Sequence, residues 1–168
     1  MGVTIHFEGK LKSQDSYLYV IDIAKQFAIS NDLEFTIFEE GNKLLQRVKN
    51  EEDCDYQGPT KGIVIEIATN CDPLNLEFDE ALYIQEYCKT QFTRTDNHII
   101  IINLLRTIEP YFNALKIHDE GEYWETEDIT ILQMHIDNCF RGIEEAKEEN
   151  SSLEGPFRVD GRIIDLMS

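Results

Sequence analysis

The spacing of apolar residues switches between two periods along this chain, and the order of the switches constrains its fold more than any other feature. Val3-Thr4-Ile5-His6-Phe7 alternates, which predicts a strand with Val3, Ile5 and Phe7 on one face. Tyr17, Val20, Ile21, Ala24, Phe27 and Ala28 then recur at helical steps, predicting an amphipathic helix capped by Ser13 and stopped at Asn31-Asp32. Leu33, Phe35 and Ile37 return to period two. This β-α-β opening has short connections, so its two strands are expected in one sheet with the helix over a face.

Further along, Glu39 to Lys61 is polar and charged and closes on Gly58-Pro59, which reads as an excursion loop with room for one short helix at Leu44, Leu45 and Val48. Gly62 to Ile67, Leu74 to Phe78 and Ala81 to Lys89 read as three consecutive strands, the first two joined by the turn Asn70-Cys71-Asp72-Pro73. Ile101, Leu104, Leu105 and Ile108 predict a helix near 96–109, capped by Thr95 or Asp96 and limited by Pro110. Leu115 and Ile117 restart a strand. Ile129, Leu132, Ile136, Cys139, Ile143 and Ala146 predict a helix near 127–149, with Thr126 as its cap and Glu127 and Asp128 in its first turn. Asp160-Gly161 lies between short apolar runs, so residues 151–168 form a C-terminal hairpin or a loose tail. The whole is expected to be one α+β domain, residues 1–168. Its sheet should be mixed and mostly antiparallel, with helices mainly on one face.

Length agrees with one domain, since roughly 100–200 residues usually form one. The chain has 168 residues, 42% of them hydrophobic and 29% charged, which suits a folded core rather than disorder. Its four cysteines, Cys54, Cys71, Cys88 and Cys139, make no CxxC pair and read as reduced thiols. No leader or membrane-spanning run is visible, so a cytoplasmic protein without membrane association is expected.

The formal net charge is −18, and residues 119–154 carry twelve Asp/Glu against two Lys/Arg. Such a chain repels phosphate backbones and anionic bilayers, which argues against direct nucleic-acid binding and permits a basic protein partner. The densest stretch, His118 to Asp128, also holds the single tryptophan. Asp119, Glu120, Glu122, Tyr123, Trp124 and Glu125 are therefore the candidate binding surface, because aromatic anchors ringed by carboxylates suit a basic surface. The structural alternative is that Trp124 turns inward and plugs the end of the core.

If the strand after Leu115 persisted to Glu122, alternation would place His118 beside Glu120 and Glu122. One imidazole and two carboxylates suit Mn, Fe or Zn, which makes a metal-assisted hydrolase the alternative function. His6 and His98 are the histidines that could join His118. No HExxH or other catalytic motif is present, so the leading expectation is a non-enzymatic protein with no cofactor and no metal.

The stretches Gly62-Ile63-Val64-Ile65, Cys71-Asp72-Pro73-Leu74, Phe78-Asp79, Lys89-Thr90-Gln91-Phe92, His98 and Asp119-Glu120-Gly121-Glu122-Tyr123-Trp124-Glu125-Thr126 resemble a set of uncharacterised bacterial proteins. Those proteins share a Lys-Thr-Gln segment and an Asp-Glu-Gly-x-Tyr-Trp-Glu-Thr segment, and Asp72 here stands where they carry Glu. The resemblance covers about residues 62 to 128. It implies no activity, so it assigns no catalytic or cofactor residue.

Overall fold

In the computed structural model, which describes residues 2–168, the strand predicted at the N-terminus becomes the centre of a sheet. The chain runs β1 (Thr4–Leu11), α1 (Gln14–Ser30), β2 (Phe35–Leu45), β3 (Val48–Lys49), β4 (Glu52–Asp53), β5 (Tyr56–Ile65), β6 (Leu74–Phe78) and β7 (Tyr83–Lys89). It continues through α2 (Thr95–Ile108), a 3-10 turn (Glu109–Tyr111), β8 (Phe112–Asp119), α3 (Tyr123–Thr126), α4 (Ile129–Glu149), β9 (Phe157–Val159) and β10 (Arg162–Ile164).

Two three-stranded sheets, β7-β1-β8 and β2-β5-β6, carry the α+β domain, and all their pairings are antiparallel. The expectation of one sheet containing both β1 and β2 is corrected. Both edges of β1 are taken by β7 and β8, so the strand after α1 pairs instead with β5. The chain crosses between sheets at the turn after β6. Asp79 holds that turn by accepting from the Ala81 and Tyr83 amides at 2.8 and 3.0 Å, and Leu82 takes φ 64°. β6 and β7 stay adjacent, joined at their ends by Asp79 N to Tyr83 O and Asp72 N to Lys89 O, each 3.0 Å. Polar side chains fill the seam between them: Asn75 donates to Glu86 at 3.1 Å, and Glu77 accepts from Thr60 at 2.7 Å and Lys43 at 2.9 Å.

The segment 39–61, read as an excursion loop, is a β-ribbon of β2 and β5 with the small β3–β4 hairpin at its end. Most of β2 beyond Phe38 is exposed, so neither face needs apolar residues and the period-two signal vanishes. Backbone pairing with β5 and the Lys43–Glu77 ion pair at 2.9 Å hold it extended.

One core lies between the inner faces of the two sheets and the helices α1 and α2. Ile5, Phe7 and Leu11 of β1 meet Val20, Ala24 and Ala28 of α1, Ile63 and Ile65 of β5, and Ile101, Ile102, Leu105 and Ile108 of α2. Ser13 caps α1 by accepting from Ser16 N at 3.1 Å. The cap expected at Thr126 falls on Asp128, which accepts from Thr130 N at 2.8 Å, because the preceding residues first make the short α3. Neither Thr95 nor Asp96 caps α2, since both already lie inside it. Helix α4 touches the body through a narrow stripe, Leu132, Ile136 and Cys139, against Val3, Ile99 and Tyr123. At the C-terminus, Asp160 and Gly161 take φ of 50° and 79°, the left-handed pair that a two-residue hairpin turn requires, and β9 pairs with β10.

Candidate functional site

The acidic run begins where β8 ends. Alternation along β8 turns Lys116 and His118 outward, while the next inward position, Asp119, is buried. A strand reaching Glu122 does not form, because the chain turns after Asp119 and Glu122 N donates back to its carbonyl at 3.0 Å. Asp119 is thus removed from the expected binding surface. Its carboxylate accepts from His98 Nε2 at 3.0 and 3.1 Å, from Gly121 N at 2.8 Å and from Trp124 N at 2.9 Å. On the other side of the fully buried His98 ring, Thr90 Oγ1 lies 2.6 Å from Nδ1 and 3.2 Å from the Val3 carbonyl. Both ring nitrogens are therefore partnered. Burial pushes the Asp119 carboxyl up, but the hydrogen bond and charge of His98, with the Trp124 and Gly121 amides, hold it below its ordinary value.

Nearby residues extend this network to the N-terminal strand. Val3 N donates to Gln91 Oε1 at 2.9 Å, and Thr4 N donates to Glu120 Oε2 at 3.1 Å. A Cβ on Gly121 would meet Leu132 Cδ1 at 2.6 Å, so the glycine lets the turn pass under α4. Thr90, Gln91, His98, Asp119, Gly121 and Trp124, scattered through the quoted motifs, thus share one hydrogen-bonded and packed cluster.

The remaining surface candidates divide. Glu120 is half-buried and pairs with His6 at 3.1 Å, while Glu122 is exposed, left-handed at φ 57°, and pairs with His135 at 2.5 Å. Tyr123 is half-buried between the two apolar clusters. Trp124 is also half-buried: it packs on the core, and the Arg106 guanidinium covers its ring at 4.2 Å from the centroid while donating to its carbonyl. Glu125 is exposed. The alternative set His118, Glu120 and Glu122 does not assemble, since its two carboxylates turn to His6 and His135. Among the described residues no three His, Cys, Asp or Glu side chains converge as a metal-holding group.

What the acidic segment does present is α4. Glu144, Glu145, Glu148 and Glu149 are exposed and make no ion pair among the described residues. Ile129, Met134 and Phe140 are 54%, 48% and 44% exposed on the same helix, far more than a core stripe allows. Helical spacing sets Ile129 and Phe140 at the border of the buried stripe, Phe140 with its ring edge-on to Phe92 at 5.8 Å between centroids, and turns Met134, Asp137, Glu145 and Glu148 outward with Glu144 and Glu149 at the flanks.

A second feature, missed from sequence, is a cleft of about 1090 Å³ over the outer face of the β7-β1-β8 sheet. Cross-strand register sets His6 opposite both His118 and Tyr87, with ring centroids 5.7 and 6.2 Å away. His6, not His98, is the histidine that meets His118. In the same cleft Glu8 accepts from Tyr83 Oη at 2.5 Å and Gln85 Nε2 at 3.2 Å. The Tyr83 bond holds the Glu8 carboxyl below its ordinary value, while burial and Glu8 push the Tyr83 phenol up to about 12. Arg47 and Arg162 stand at its ends. Arg47 is buried between the Tyr56 and Tyr83 rings and pairs with Asp79 at 2.6 Å, and Arg162 stacks on Tyr87 and pairs with Glu86 at 2.9 Å. The alternation of β1, β7 and β8 contained the cleft's floor, but nothing local announced the two arginines that border it.

No family model, curated protein or solved structure matches this chain. Among the described residues no helix is long and apolar enough to cross a membrane.

Proposed function

We propose that this chain is a non-enzymatic binding protein that engages a basic protein partner, in the manner of an immunity-type or nucleic-acid-mimicking inhibitor. The observation that carries this reading is the exposed side of α4, where four exposed carboxylates with no ion pair among the described residues follow exposed Ile129 and Met134. Unpaired carboxylates have no internal attraction to give up when a Lys- or Arg-rich surface arrives, and their field speeds its approach. Adjacent apolar side chains supply the area that such an encounter needs to become a stable complex. Glu122, Glu125 and the exposed edge of Trp124 extend the same surface toward the root of the helix. Asp119 and Tyr123 support it from below.

The test is capture from lysate on the immobilised full chain, comparing wild type with the Glu144→Gln, Glu145→Gln, Glu148→Gln, Glu149→Gln variant. These side chains are exposed, so the variant keeps the fold. A basic partner retained by wild type at low salt, released by added salt and lost from the variant supports the reading. Retention of the same proteins by both, or a best complex indifferent to salt, would exclude it.

A further inference from the structure

Cys71 and Cys88 lie 17 positions apart, yet both are fully buried in the main core. Three bonds hold their neighbourhoods side by side: Asp72 N donates to Lys89 O at 3.0 Å, Lys89 N donates to the Asp72 carboxylate at 3.0 Å, and the Cys88 thiol donates to the Asp72 carbonyl at 3.4 Å. The Cys71 side chain beside it, together with burial, pushes the Cys88 thiol well above its ordinary value. In the closed molecule the Cys88 thiol is therefore protonated and unreactive, since the thiolate is the nucleophile.

The cover over this pair is the C-terminal hairpin. Arg158 of β9 donates to the Cys71 carbonyl at 2.6 Å, and Ile163 N of β10 donates to Asp72 Oδ1 at 2.7 Å. Beyond β10, Asp165 pairs with Lys89 at 2.9 Å. These three attachments fall on a cysteine or on the residue beside one, and Arg158 and Arg162 add ion pairs to Glu66 at 3.2 Å and Glu86 at 2.9 Å. A two-strand hairpin has little stability of its own and depends on such attachments, so it belongs to the elements that open locally before the body unfolds.

We propose that Cys71 and Cys88 are a dithiol–disulfide site, oxidised by a small-molecule disulfide when the β9–β10 hairpin lifts. One cysteine thiolate attacks the disulfide, releasing one thiol and leaving a mixed disulfide. The second cysteine, deprotonated, then attacks the protein sulfur of that bond and releases the second thiol. Two electrons and two protons pass from the cysteine pair to the oxidant, which leaves as two thiols. The product crosslinks the loop before β6 to the end of β7, bracing the seam between the two sheets.

The experiment exposes the native full chain to oxidised glutathione, blocks remaining thiols with iodoacetamide and maps tryptic peptides. No Lys or Arg lies between Lys61 and Lys89, so both cysteines fall within the single peptide Gly62–Lys89. The expected peptide is two hydrogens lighter than the reduced form, carries no alkyl group and regains both thiols on reduction. Arg158→Ala should bring it up several-fold faster by loosening the cover. In denaturant the yield should fall, because the four cysteines then share three possible connectivities. The proposal is overturned if both thiols remain alkylatable once exposed Cys54 has reacted, or if a stable glutathione adduct stays on either cysteine. It is also overturned if either pairs with Cys54 or Cys139, if Arg158→Ala reacts no faster, or if the native and denatured yields agree.

Discussion

Two buried carboxylates show how one residue type takes opposite roles from its surroundings. Asp119 accepts from three donors, and removing it strands His98 Nε2 and the Gly121 and Trp124 amides inside the protein. Asp119→Ala should cost about 3–5 kcal/mol, the range for breaking a buried charged pair from one side, read from urea unfolding followed by Trp124 fluorescence. A loss under 1 kcal/mol would mean that the cluster does not hold the β8–α3 turn. Because its folded-state value is lowered, Asp119 contributes stability above the ordinary carboxylate range, and that contribution is lost as pH falls through the lowered value. Glu86 has the opposite sign. Burial raises it from 4.5, against the opposing pull of Arg162, so folding takes up a proton and stability falls as pH rises from 4.5 through the raised value. Glu86→Gln should therefore gain on wild type across that window, measured as urea midpoints from pH 4 to 7, whereas parallel curves would refute the assignment. Asp119 was partly legible in the sequence, since alternation set it on the face of Leu115 and Ile117. Its density of acidic neighbours pointed outward instead, and only the partner His98, 21 positions earlier, decides the direction.

Elements were legible wherever one face is buried and the other is wet. The pattern Ile5, Phe7 against His6, Glu8 fixed β1, and the apolar steps of α1, α2 and α4 fixed three helices, because burial on one side imposes a period. The β2–β5 ribbon was not legible, since exposed strands carry no such period, and neither was the partition into two sheets, which depends on which edges of β1 are filled. Strand spacing adds a constraint that periodicity does not express. A Cβ on Gly62 would sit 1.8 Å from the Leu76 carbonyl oxygen across the β5–β6 pair, so Gly62→Ala forces the strands apart. We expect a loss of about 1–3 kcal/mol in urea unfolding, typical of overpacking, against a near-neutral Gly41→Ala control at a position with nothing within 4 Å. Equal stabilities for the two variants would show that β5 and β6 are not this close.

At the scale of the whole molecule, charge and stability pull in opposite directions, and this separates binding from folding. A net charge of −18 repels itself, most strongly where the unpaired carboxylates of α4 crowd a helix C-terminus whose dipole is already negative. Screening acts over about 30 Å at 0.01 M salt and about 10 Å at 0.1 M, so moderate salt should relieve the repulsion between distant carboxylates. It weakens the exposed ion pairs too, but each of those contributes only about 0–1 kcal/mol, and the pair Arg47–Asp79 is buried beyond its reach. Repulsion is the larger quantity, so the melting temperature should rise between 0.01 and 0.15 M sodium chloride. The Glu144→Gln, Glu145→Gln, Glu148→Gln, Glu149→Gln variant should melt higher at low salt and respond less. Binding to a basic partner, by contrast, should weaken over the same range. Loss of a complex in salt that makes the protein more stable cannot be unfolding, and must be lost attraction at the surface. A melting temperature that fell with salt would show that local ion pairs outweigh the long-range repulsion, and the acidic face of α4 would then lose its claim to be an uncompensated binding surface.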